Sequence, residues 1–161
     1  MRSVSIIATF LVAACVENAE PILSMTGYGP IEFGVRLEDA ERVAGGRLEP
    51  ERALEPACDY VRFATLPRAR FMVENGVVTR AEVEAGVPNS LKIEPGTSLD
   101  SIRKSRPEAR IEPAKYDPEG YNITFSSPDA RAAIVMEVSG GVVKDIRAGL
   151  QPSVGYVEHC L

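Results

Sequence analysis

The chain of 161 residues has no tryptophan, one histidine and three cysteines, and its aromatic side chains are limited to five tyrosines and five phenylalanines. A lone His159, with no C-x-x-C or H-x-x-x-H spacing anywhere, assembles no zinc site. His159 stands beside Cys160, but neighbouring side chains on a strand point to opposite faces, so the two are not read as a nucleophile and its base. Basic clusters are missing as well. Eighteen Lys and Arg against 23 Asp and Glu give a net charge of −5, without the basic stripe that nucleic-acid binding needs. No Gly-rich phosphate loop follows a strand, and no apolar run reaches the roughly 20 residues of a membrane-spanning helix. The acids are dispersed: "LEDAER" and "VEAGVP" read as solvated faces, and "KYDPEGYN" lacks the alternating acids of a calcium loop. A carboxylate pair of the glycosidase kind has no sequence signature. No catalytic, cofactor or metal site is assigned, and the chain is not read as an enzyme.

What is present begins at the first residue. "MRSVSIIATFLVAACVENAEP" carries one cation, Arg2, then an apolar run from Ile6 to Ala14, with acids returning at Glu17 and Glu20. This pattern reads as an export signal over residues 1–14, a buried N-terminal strand being the alternative. Val12-Ala13-Ala14 followed by Cys15 resembles the lipobox of bacterial lipoproteins. That resemblance implies cleavage before Cys15, lipidation of its sulfur, and, with Val16 rather than Asp next, sorting to the outer membrane. Cys58 and Cys160 then remain as an even pair for one disulfide in an oxidising compartment. Two rivals stay open: ordinary cleavage releasing a soluble protein with a spare thiol, and a Cys15–Cys58 bond. Residues 15–26, polar and Pro-containing after the cysteine, read as a lipid-anchored tether.

The remainder repeats itself. "IEFGVRLEDAER" at 31–42 lies over "IEPGTSLDSIRK" at 93–104, and "NGVVTRAEV" at 75–83 over "GGVVKDIRA" at 140–148. Each unit places a helix after a glycine. Leu37, Ala40, Val43 and Ala44 form the apolar stripe of the first, stopped by Gly45-Gly46; Leu99 and Ile102 serve the second, which Ser98 caps and Pro107 ends. Strands follow at 60–66, 70–75 and 77–83, with Asn75-Gly76 as a two-residue turn, and again at 121–126, 132–138 and 142–148. "SVGYVEHC" suits a last strand. The expected fold class is α+β: two tandem repeats, 27–88 and 89–161, each a short helix followed by antiparallel strands, forming one pseudo-symmetric body.

A strand, "IxxG", two residues and an amphipathic helix before antiparallel strands is similar to the small lipoproteins of the outer-membrane barrel-assembly machinery. The tandem form resembles the secreted β-lactamase-inhibitor proteins. The residues that carry the likeness are Ile31, Gly34 and Leu37, and Ile93, Gly96 and Leu99. A "GxGPxxFG" start, here Gly27, Gly29-Pro30 and Phe33-Gly34, is similar to further bacterial lipoproteins. Arg36 departs from the capping Thr or Ser of those families. The inhibitors close a disulfide within each repeat, whereas Cys58 and Cys160 would join the two.

The expected function is that of a bacterial envelope lipoprotein acting as a protein–protein interaction module. Its partners would be an envelope protein and, through Cys15, the membrane. A soluble secreted or periplasmic inhibitor or ligand-binding protein is the alternative, and a hydrolase using surface carboxylates a third class. Tyr116 and Tyr121, flanking a Pro-x-Gly turn, are the candidate contact residues, because tyrosine is favoured at interfaces.

Overall fold

The computed structural model describes residues 20–50 and 52–160. The expected signal at 1–14, Cys15 and the first part of the tether lie outside those residues. Residues 20–26 of the expected tether are described. Leu23 is fully buried, its N–H donates to Pro88 O (2.9 Å), and Ser90 N–H donates to its carbonyl (2.8 Å). The chain therefore enters the body at Leu23 rather than Gly27, because a leucine whose backbone is paired on both sides gains burial that a tether would forfeit.

Strands β1 (Gly27–Tyr28) and β2 (Ile31–Glu32) form a tight ribbon before helix α1 (Leu37–Ala44). Arg36 offers α1 no side-chain cap, yet Glu38 and Asp39 lie in its first turn and Arg42 in its last, where each sign suits the helix dipole. Of the expected apolar stripe Ala40 is buried, whereas Val43 is 56% exposed, an eight-residue helix being too short to bury both. After β3 (Leu48–Glu49) come β4 (Cys58–Phe63), β5 (Ala69–Glu74) and β6 (Val77–Val83). Asn75 and Gly76 join β5 to β6 with φ of 49° and 77°, the double positive φ of a primed hairpin turn. Helix α2 (Leu99–Ser105) follows, its first turn closed by Ser101 N–H donating to Ser98 Oγ (3.2 Å). β7 (Arg110–Pro113), β8 (Tyr121–Ser126), β9 (Ala132–Ser139) and β10 (Val142–Leu150) complete the strands.

All but the first two strands join one antiparallel eight-stranded sheet in the order β3-β4-β5-β6-β10-β9-β8-β7. The fold is α+β, with two helices and a mostly antiparallel sheet. β6 and β10 meet at the centre, pairing Val83 with Ile146, Glu82 with Arg147 and Ala81 with Ala148. Both helices are entered through similar backbone bonds. Gly34 N–H donates to Val78 O and Gly96 N–H to Val143 O, each at 2.8 Å; Leu37 N–H donates to Gly76 O and Leu99 N–H to Gly141 O, at 2.9 and 3.0 Å.

Side-chain alternation sends Val61, Phe71, Ala81, Ile146, Ile134 and Ile123 to one face, where Ala40, Leu99 and Ile102 of the helices share their apolar cluster. The opposite face carries Tyr60, Arg70, Arg80, Glu82, Arg147 and Glu137. The last strand expected at 153–160 does not form. Ser153–Gly155 make a 3-10 turn instead, and residues 156–160 run on as irregular chain, because this segment lies over the opposite face rather than at an edge where it could pair. The Sγ atoms of Cys58 and Cys160 stand 2.04 Å apart, at disulfide distance, across 102 residues. No helix among the described residues is long and apolar enough to cross a membrane.

Candidate functional site

The face turned away from the helices holds the chemistry, and the segment 151–160 lies across it as a strap. Val154 is fully buried and forms a small apolar cluster with Ala133 and Val135 of β9. Two arginines rising from the central strands bind the strap's main chain. Arg80 Nη1 donates to Ser153 O (3.1 Å) and Tyr156 O (2.8 Å), and Arg147 Nε donates to Val154 O (2.7 Å). Arg80 can reach across β10 because Gly149 stands opposite it. A Cβ at Gly149 would come within 2.4 Å of Thr79 O and 2.9 Å of Arg80 Cβ. Glu74 accepts from Thr79 Oγ1 (2.6 Å) and from the Ser153 hydroxyl, fixing the start of the strap.

Arg80 is 1% exposed and its charge must be met. Glu82 meets it on one side, accepting from Arg80 Nε at 3.0 Å, and pairs also with Arg70. Tyr60 adds two bonds: its oxygen accepts from Arg80 Nη2 (2.9 Å) and its hydroxyl donates to Glu82 (2.9 Å). Burial opposes ionisation of Glu82, but the hydrogen bonds and charges of Arg80 and Arg70 outweigh it and hold this carboxyl below the usual range. Burial, aided by Glu82, pushes the Tyr60 phenol up. His159 Nδ1 lies 3.0 Å from the Tyr60 oxygen and 3.5 Å from Glu82 Oε1. Tyr60, Arg70, Arg80, Glu82 and His159 thus form one connected polar cluster beneath the strap.

Tyr116 and Tyr121 line one shallow cavity of about 300 Å³, but they are anchored differently. Tyr116 is 68% exposed; Lys115 Nζ sits 4.9 Å above its ring, and its hydroxyl and Lys115 both bind Glu158 of the strap. These two donors hold the Glu158 carboxyl low. Tyr121 is half-buried against the core, with the Arg103 guanidinium of α2 5.2 Å over its ring. A second, larger cavity of about 410 Å³ lies on the strapped face and includes Arg62, Arg70, Glu82, Glu137, Arg147 and His159 in its wall. Among the described residues no group of three or more His, Cys, Asp or Glu is placed to hold a metal ion.

Sequence reasoning paired Cys58 with Cys160 and offered Tyr116 and Tyr121 as contact candidates, but did not single out Arg80, Arg147 or Gly149. The one available signal was Gly149 inside a run of strand formers, which marks close approach of another backbone. No protein-family model matches the chain, and no curated protein and no solved structure was found to match it.

Proposed function

We propose that the chain is a bacterial envelope lipoprotein, anchored through Cys15, whose body acts as a protein–protein interaction module. The observation that carries this reading is the pairing of Cys58 with Cys160. Two of three cysteines account for each other, and the third follows Val12-Ala13-Ala14 at the end of an apolar run, where a lipobox cysteine stands. Two acyl chains give the firm attachment that one does not.

The body supports a duplicated origin in the manner of the barrel-assembly lipoproteins and the β-lactamase-inhibitor proteins. The helix-entry bonds at Gly34 and Leu37 recur at Gly96 and Leu99, and both hairpins preceding the central strand pair turn on residues of positive φ. Glu82 faces Arg147 at the point where a twofold axis relating the halves would pass. An inhibitor of the β-lactamase type presents a concave sheet to its target. Here the strap occupies that face, which favours contact through the loop of Tyr116, where an exposed ring is held in place at its hydroxyl.

Intact mass of the protein from a membrane fraction tests the anchor. The mass expected is that of the Cys15–Leu161 polypeptide plus several acyl chains. The bare polypeptide mass in the soluble fraction would reject the anchor and leave the soluble alternative. Tyr116→Ala should then weaken capture of the envelope partner without shifting the unfolding midpoint.

A further inference from the structure

The cavity of about 410 Å³ beside the strap has an unusual charge arrangement. Arg147 is nine-tenths buried in its wall; its Nε is spent on Val154 O and its Nη1 on Glu137. Among the described residues Nη2 has no hydrogen-bond partner, yet no buried nitrogen or oxygen is orphaned, so this N–H group opens into the cavity that Arg147 lines. Asp145 stands on the same wall, exposed and without an ion pair among the described residues, directly opposite Glu137 in the β9–β10 register. Like charges opposite each other across a strand pair repel. Glu137 is neutralised by Arg147, so Arg147, Glu137 and Asp145 together keep one negative charge and one unshared donor. The other charged side chains of the wall balance, Arg62 and Arg70 against Glu82 and Glu84, so a simple anion would meet that surplus negative charge and a simple cation would leave the Arg147 donor unused. Val157 of the strap supplies apolar wall beside them.

We propose that this cavity binds a small zwitterion of the α-amino-acid or short-peptide class, its carboxylate on Arg147 Nη2 and its ammonium on Asp145. The volume lies in the range of small-molecule sites, about 300–1,000 Å³. The site does not depend on the anchor at Cys15. The strap contributes Val157 and His159 to the wall, so the cavity is complete only while the strap is seated.

Calorimetric titration of the purified full chain with alanyl-alanine tests the site, alongside N-acetyl-alanyl-alanine, alanyl-alanine amide and free alanine. The dipeptide should bind with a Kd of about 0.1–1 mM, as a ligand of few atoms allows. Blocking either end should weaken binding by about tenfold or more, the loss of one charge-assisted contact. Free alanine binding as tightly as the dipeptide assigns a single amino acid; the dipeptide binding tighter assigns a short peptide. Asp145→Asn should also cost about tenfold without lowering the thermal unfolding midpoint, since the residue is exposed, unpaired and opposite a like charge. Arg147→Lys, which keeps the charge but removes Nη2, should weaken the acetylated and free peptides alike. Equal affinity for blocked and unblocked forms, an unaffected D145N variant, or no heat up to about 10 mM dipeptide would overturn the proposal.

Discussion

Arg80 lies in "VVTRAEV", where alternation assigns it to the polar side of a strand and hence to solvent. The side is correct and the solvent is not, because a segment about 75 residues further along lies over it. Burial by a distant segment has no local signature, which is why the arginine pair was illegible while the hairpin turn at Asn75-Gly76 was not. Removing Arg80 leaves Glu82 with Arg70 and Tyr60 alone and frees the carbonyls of Ser153 and Tyr156, so Arg80→Ala should lower unfolding free energy in urea by about 3 kcal/mol. Asp59 gives the corresponding test by pH. Hydrogen bonds from Arg52, first of all, with the N–H groups of Glu55 and Tyr60, bring its carboxyl down to about 2. A group with a depressed folded value contributes stability above its unfolded value and loses it as pH falls through the folded one. Stability should therefore decline between about pH 4 and pH 2, and Asp59→Asn should flatten that decline while costing about 1–2 kcal/mol at neutral pH.

At the level of elements, regular periodicity was readable and irregular chain was not. β8 was legible at its observed bounds and β6 as well, since β-branched residues alternate between clear turn signals. β3 and β7 were not, being short edge pieces whose residues pair without burying an apolar face. Ser98 acted as the cap its side chain promised, and Ser98→Ala should cost about 1 kcal/mol in a urea melt, whereas Arg36→Ala, with no cap bond to lose, should be near neutral. The strap read as a strand because "SVGYV" alternates; its fate was decided by Val154, which finds Ala133 and Val135. Val154→Ala should cost about 2 kcal/mol, and amide exchange should quicken at Ser153–Tyr156 before it does in β10.

For the whole molecule, the antiparallel α+β class was legible from two helix-then-strand series, while the single continuous sheet depended on β6 meeting β10, a pairing between chain segments more than 60 residues apart that no local pattern reports. Closing a loop of about 100 residues restricts the unfolded chain by about 4–5 kcal/mol, so reduction of the Cys58–Cys160 bridge should lower stability by that order. Alkylation of the denatured, unreduced protein should leave both sulfurs unlabelled; label on Cys58 would contradict the bridge.

The same bridge orders events during biogenesis. Cys58 sits on the first long strand of the sheet, and its mate is 102 residues downstream. The bridge can close only once the far segment, which the arginines hold across the sheet, has been made. A closed bridge thus records that every intervening strand has been synthesised, and a chain halted before Cys160 would leave Cys58 without this mate.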